Sequence, residues 1–493
     1  MKKISVISFV ALMVLSLCSC SNTDYQKVIP ANSPLVVKVD VRSLADKSEF
    51  DKSEAMQTME NALTAMVSDK DMDQVKKLMK DPMEMGFDLS MPVYAFMADM
   101  ETFGLTMKVN DEEAVKEFLL LLNRQSMSSK PVEKDGLMCG TLLDDFTYAY
   151  DGQSFLLLGS SKGAGKADDL AHQLMNQDEK QSFVSSEGYE RLEDVEKDVV
   201  MYMDFASLPE KAMKDYAEIL PKSLKYKDLE AVASLMFEKG EAQLSAKVFG
   251  KTQAAKDIIK ETNDHLDEID GEYLDKVSDE AVLWLGAGVK GEWLLSKIKE
   301  SKALNELLFV LEQAIDVEQM IRSIDGDVSL EIPTLDAERG GMEFVAYAEL
   351  DNSKFLADVE DWKKSQKDFG IEMKEQGKNQ YILTMKGETF NWGVDDDDLY
   401  MGTTRAFNHS KESTGALLKP YKKQIKESQM FLLVNIAAMG LDNQISDRSK
   451  GADWAKKNLK GIDAIILKSA SADEGTLVIE MKNKDENFLK QIL

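Results

Sequence analysis

The segment Leu35–Val41, "LVVKVDV", alternates Val37, Val39 and Val41 against Lys38 and Asp40, the period-two pattern of a half-buried strand. Helical spacing follows from about Leu44 to Lys80, and "MPVYAFMAD" and "FGLTMKV" read as two further strands. "NDEEAVKEFLLLLNRQ" opens with a capping signature from Asn110 to Glu113 and sets Val115, Phe118, Leu119 and Leu122 on one helix face. "FTYAYDGQSFLLLG" reads as a hairpin turning at Asp151-Gly152.

The same order returns roughly 240 residues later. "SDEAVLWLGAGV" matches the first strand, and "DVSLEIP" and "GMEFVAYAEL" match the next two. "DNSKFLADVEDW" reads as a helix capped by Asp351, with Phe355, Val359 and Trp362 on its apolar face. "ETFNWGVDDDDLYMGTT" matches the hairpin, aligning Gly159 with Gly402 and Ser160-Ser161 with Thr403-Thr404. "DVVMYMDFASL" pairs with "SQMFLLVNIAAMG", and "EAQLSAKVFGKTQAAKDII" with "EGTLVIEMKNKDENFLKQIL". Strands in runs with helices between them imply an α+β fold. The expected architecture is two tandem, distantly similar modules with mainly antiparallel sheets and flanking helices, spanning 28–271 and 272–493.

The start of the chain is different in kind. Lys2 and Lys3 precede an apolar run, Ile4 to Leu17, that falls short of the roughly 18 apolar residues a bilayer span needs. This is an export leader. Leu17-Cys18-Ser19-Cys20 resembles the cleavage and acylation box of bacterial lipoproteins, which implies cleavage after Ser19 and a lipid on Cys20. Cys18 fits that box poorly, because bulky Leu17 precedes it. The expected layout is a signal peptide over 1–19 and a polar tether over 20–27. A metal site or disulfide is disfavoured, because Cys139 is the one remaining thiol and reads as a small buried hydrophobe. The opening "VIPANSPLVVKVDVRSLADKS" further resembles an uncharacterised family of exported lipoproteins from Bacteroidetes. That resemblance implies an envelope address and supplies no catalytic residues.

Composition narrows the functional classes. The chain is 44% hydrophobic, as a globular protein is, and carries a net charge of -28. Loss of Lys2 and Lys3 with the leader takes this to about -30, a surface that repels nucleic acid and anionic lipid. Nucleic acid is therefore no partner, and membrane contact is expected through the N-terminal lipid only. The chain has three histidines and 28 methionines, which disfavours metal and His-base chemistry and suits plastic cores or adaptable apolar grooves.

Several motifs imitate active sites. Gly286-x-Gly288-x-x-Gly291, with Glu312 downstream, mimics a dinucleotide fingerprint, yet helical spacing around Glu312 replaces the strand that fingerprint requires. Gly159-x-Ser161-x-Gly163 imitates a nucleophile elbow, for which His172, His265 and His409 are the available bases. "KGAGKA" has the wrong spacing from Gly159, and Ala167 stands where a phosphate loop needs Ser or Thr. Asp395 to Asp398 suggest calcium, but calcium loops alternate their ligands, so a solvated hairpin tip is favoured. "DEIDGEYLD" fails the EF-hand pattern at Leu266.

No cofactor, metal or catalytic residue is assigned. The expected role is a lipid-anchored, non-enzymatic binding or scaffolding protein of the envelope, on the periplasmic face of the outer membrane. A peptide, a glycan or an envelope protein is the expected ligand. The alternative is an exported hydrolase with an unidentified active site, Ser161 being its candidate serine.

Overall fold

The computed structural model describes residues 24–492, apart from 54–55, 59, 62–66, 69, 162, 212, 214–223, 302–304, 307, 310–311, 313–315, 335–342, 367–369, 386 and 440–459. Cys20 and the leader lie outside the described residues. Among those described, no helix is long and apolar enough to cross a membrane.

The fold is α+β, and the chain divides into two units. The first takes residues through 219, Lys225–Lys251 and Lys484–Leu493; the second takes Leu220–Leu224 and Thr252–Asn483. The junction thus falls at 251/252, twenty residues ahead of the expected one, and the last ten residues join the first unit.

The first unit contains strands β1 (Leu35–Val39), β2 (Val93–Asp99), β3 (Thr102–Lys108), β4 (Val132–Lys134), β5 (Leu137–Leu142), β6 (Phe146–Tyr150), β7 (Ser154–Ser160), β8 (Val199–Asp204), β9 (Leu229–Glu238) and β10 (Glu241–Gly250). They pair antiparallel in the order β10-β9-β8-β1-β2-β3-β7-β6-β5-β4. The second unit contains β11 (Leu266–Asp267), β12 (Leu283–Lys290), β13 (Ile324–Ile332), β14 (Val345–Leu350), β15 (Ile371–Gly377), β16 (Gln380–Met385), β17 (Glu388–Asp395), β18 (Asp398–Thr403), β19 (Met430–Asn435), β20 (Ile462–Ser471) and β21 (Glu474–Met481). Its order is β21-β20-β19-β12-β13-β14-β18-β17-β16-β15, again antiparallel, with β11 beside the end of β12. Strand for strand, the two orders are the same.

The match between units is shifted by one residue from the sequence alignment. Asp151 and Ser154 close the β6–β7 tip as Asp395 and Asp398 close the β17–β18 tip. Counting from the tips, Gly402 stands where Leu158 does, and Gly159 matches Thr403. Because side chains alternate faces along a strand, that one-residue error would reverse the sheet.

Other expectations need smaller corrections. In β1 the fully buried residue is Val36, while Val37 and Val39 lie half-exposed on the opposite face. Lys38 is tolerated beside Val36 because it pairs with Glu193 at 2.7 Å. The cap of helix Glu112–Arg124 is Asp111, not Asn110; its carboxylate accepts the N–H groups of Glu113 and Ala114. Asp351 caps nothing: a 3-10 turn, Lys354–Asp358, intervenes before the helix Val359–Ser365, although Phe355, Val359 and Trp362 are buried as expected.

The expected tether is the largest correction. Residues 24–28 form a 3-10 turn in which Tyr25, Gln26 and Val28 are buried on the sheet. Tyr25 Oη donates to Pro92 O at 2.7 Å, Gln26 Nε2 to Tyr94 Oη at 3.0 Å, and Gln177 Nε2 to Ile29 O at 3.2 Å. The second unit buries the corresponding segment, 269–278, with carboxylates instead. Asp327 accepts the N–H groups of Asp270, Gly271 and Glu272 at 2.9, 2.7 and 3.0 Å. Asp398 accepts Tyr273 Oη at 2.8 Å and pairs with Lys276, so it is engaged by the protein and not a solvated ligand. Glu331, 2% exposed, accepts the Ser278 N–H at 3.2 Å, and among the described residues no cation pairs with it.

Two stability predictions follow from these buried acids. Asp327→Ala leaves three backbone N–H groups without their acceptor, and is expected to cost roughly 3 kcal/mol or more in urea unfolding. Burial pushes the Glu331 carboxyl up from 4.5 to about 7. Between those values the folded state keeps a proton that the unfolded chain has lost, so this group's contribution falls as pH rises and is level above 7. Glu331→Gln is therefore expected to stabilise the protein by about 2–3 kcal/mol at pH 8 and by little at pH 4.5. Equal effects at both pH values would contradict this account.

Candidate functional site

The glycines of the dinucleotide-like motif serve packing. Gly286 and Gly288 lie inside β12 and Gly291 opens the helix Gly291–Glu300. A Cβ would meet the Trp284 ring at 2.5 Å from Gly286, Asp267 O at 2.3 Å from Gly288, and Ile321 O at 1.8 Å from Gly291. The Glu312 carboxylate accepts the backbone N–H of Glu318. Asp395–Asp398 form a two-residue hairpin turn, and among the described residues no group of three His, Cys, Asp or Glu could hold a metal ion.

The histidines are scattered. His172 Nε2 faces Cys139 Sγ at 3.6 Å, and burial pushes that thiol up in pKa, away from a reactive thiolate. His265 stacks on Trp293, and His409 lies on the helix Thr404–Glu412. Ser161 donates its backbone N–H to Glu101 O, and no hydrogen bond joins it to a histidine among the described residues.

Ser161 nevertheless borders the most distinctive surface of the first unit. Across four strands, Met97 of β2 stands opposite Phe103 of β3, Phe103 opposite Gly159 of β7, and Gly159 opposite Phe146 of β6. Gly159 leaves a gap in the row, and the two rings close over it from either side. A Cβ there would lie 2.5 Å from Phe103 Cζ and 3.0 Å from Phe146 Cε1. The rings meet edge to face, 5.9 Å apart at 75°. The resulting groove holds about 510 Å³ and is bordered by Met97, Met100, Phe103 and Phe146. Phe103 is 54% exposed and Met100 45%, so two large apolar side chains border the same groove in contact with water.

The rim is acidic and hydroxylic. Glu101 sits on the β2–β3 turn, with Thr102, Ser160 and Ser161 beside it. Asp144 and Asp145 come from the three-residue β5–β6 turn, in which Leu143 and Asp144 both take left-handed backbone. Leu143 accepts that conformation while packing its side chain on the core beneath. The groove continues into a half-exposed apolar sheet face formed by Leu35, Val37, Met201 and Ala233. An apolar group with cationic neighbours fits this combination. Sequence reasoning singled out Gly159 and Ser161 for other chemistry and missed Phe103 and Phe146, whose adjacency exists only across the sheet.

Phe103→Ser removes one wall at a cost of about 1 kcal/mol or less, since the ring is largely in water. Gly159→Val drives a branched side chain into both rings and is expected to cost about 1–3 kcal/mol while closing the groove. Urea unfolding checks both; a Gly159→Val variant as stable as wild type would show that the rings do not rest on this glycine.

No curated protein matches this sequence. Three crystal forms of TP0453 show a weak likeness. Form I is 11% identical over 50% of this chain and 88% of that chain, with a TM-score of 0.27. Form III is 11% identical over 51% and 91%, and form IV is 12% identical over 48% and 95%, each with a TM-score of 0.27. The family model described as a domain of unknown function, DUF4836, matches residues 25–489, and the chain belongs to that family.

Proposed function

We propose that this is a lipid-anchored envelope protein, acylated at Cys20 and held on the periplasmic face of the outer membrane, that acts by binding and not by catalysis. The groove over Gly159 receives an apolar side chain of another envelope polypeptide, carried on a segment rich in Lys and Arg. The observation that carries this reading is the pair of exposed apolar side chains, Met100 and Phe103, beside three carboxylates. Apolar groups held in water are typical of recognition anchors, and an acidic rim favours cationic flanks. A chain with net charge -28 adds long-range attraction for the same partner.

The rival hydrolase keeps one observation in its favour, since Ser161 lines this groove. Among the described residues Ser161 has no hydrogen-bonded base, which a serine nucleophile needs.

The test uses the mature chain and three fluorescent hexapeptides: Lys-Lys-Leu-Phe-Lys-Lys, its Glu-for-Lys counterpart, and Lys-Lys-Ser-Ser-Lys-Lys. The first is expected to bind at least tenfold more tightly than the others, and to lose that advantage with Phe103→Ser but not with Phe309→Ser, which removes an exposed ring of the second unit. Equal binding of all three peptides, or no effect of Phe103→Ser, overturns the groove assignment. Labelling of Ser161 by a fluorophosphonate, abolished in Ser161→Ala, would favour the hydrolase.

A further inference from the structure

A second cavity of about 390 Å³ lies in the first unit, bordered by Lys27, Val28, Asp151, Gln153, Glu179, Tyr189 and their neighbours. It differs from the groove in lining charges of both signs. The Lys27 ammonium and the Glu179 carboxylate make no ion pair with any described residue, and both side chains are exposed. Asp151 accepts the N–H groups of Gln153 and Ser154 on one carboxylate oxygen and borders the cavity. Val28, Met175 and Val184 supply apolar surface between these charges. A free anion is repelled by two carboxylates here, and a free amine by the lysine. A single molecule carrying both a phosphate and an ammonium satisfies all three groups.

Position adds a second argument, which rests on the proposed lipid at Cys20. Because the folded turn begins at Asp24, only Ser21, Asn22 and Thr23 separate the acylated residue from the folded body. The four residue steps from Cys20 to Asp24 span at most about 14 Å. Lys27 is therefore held close to a headgroup layer that is itself about 5–7 Å deep. We propose that this cavity binds the zwitterionic phosphate–ammonium headgroup of a membrane phospholipid, phosphatidylethanolamine in kind. Lys27 takes the phosphate, Asp151 and Glu179 accept N–H bonds from the primary ammonium, which the trimethylammonium of phosphatidylcholine cannot donate, and the methylenes between them lie on Val28 and Val184. Such binding fixes the orientation of the body on the membrane that anchors it, which a lipid at Cys20 alone does not.

The experiment uses the mature full-length chain with Cys20→Ala, so that binding through the acyl anchor is absent. Vesicles of phosphatidylethanolamine with phosphatidylcholine are compared with vesicles of phosphatidylglycerol with phosphatidylcholine, and free O-phosphoethanolamine serves as competitor. Binding is expected to the first vesicles, at least tenfold weaker to the second, and displaced by the competitor. Lys27→Glu is expected to weaken it at least tenfold, and the double exchange Lys27→Glu with Glu179→Lys to restore most of it. Indifference to Lys27→Glu, or equal binding to both vesicles, overturns the proposal. Binding of O-phosphoethanolamine without vesicle binding overturns the membrane source and leaves a soluble zwitterion as the ligand. Labelling of the wild-type chain with palmitate reports on Cys20 separately: no label with headgroup binding intact overturns the anchor and not the cavity.

Discussion

Each sheet buries a stretch of irregular chain laid across one of its faces, and that burial is the constraint on which the other features depend. Irregular backbone taken out of water carries N–H and C=O groups that must find partners. In the first unit the partners of 24–29 are neutral: the hydroxyl of Tyr94 and the amide of Gln177, with Thr106 Oγ1 donating to Tyr25 O. In the second unit the partners of 269–278 are the carboxylates of Asp327, Glu331 and Asp398. Of these carboxyls, Glu331 is the one that burial pushes up to about 7, and through it the second unit's clamp becomes sensitive to pH. The same structural need also explains why acids can occupy a sheet interior at all: each is held by N–H or O–H donors that replace water.

Burial of the first of these segments changes the functional picture as well as the fold. "SNTDYQK" has the composition of a solvated tether, and its letters give no warning that Tyr25 and Gln26 are core residues. Their partners, Pro92 and Tyr94, lie 67 and 68 residues away. With them buried, few residues lie between Cys20 and the folded body, and the surface around Lys27 is placed by the fold.

Much of the architecture was legible locally. The hairpins, the antiparallel runs and the buried faces of Glu112–Arg124 and Val359–Ser365 follow from alternation and helical spacing within single elements. What was not legible depends on neighbours across the sheet. Lys38 looked like an outward residue until Glu193, 155 positions later, supplied its charge partner. Gly286, Gly288 and Gly291 looked like a cofactor loop, because a glycine needed for a close approach leaves the same letter as one needed for a ligand. The alignment of Gly159 with Gly402 failed for the same reason: identical letters outweighed the hairpin tips, which set the register.

Once the register is corrected, the groove can be separated from the scaffold. Phe344 and Phe390 of the second unit occupy the positions of Phe103 and Phe146, and their rings also approach one another, 6.2 Å apart. Between them stands Thr403, opposite Phe390 in the ladder, with its hydroxyl donating to Phe344 O. An aromatic pair at this place is therefore common to both sheets, whereas the glycine between the rings belongs to the first alone. If the fold needed the gap, Thr403 could not fill it. The shared architecture therefore does not itself demand the gap, and the exposure of Phe103 and the carboxylates at the rim can be separated from the fold the two sheets have in common, as the proposed binding role requires.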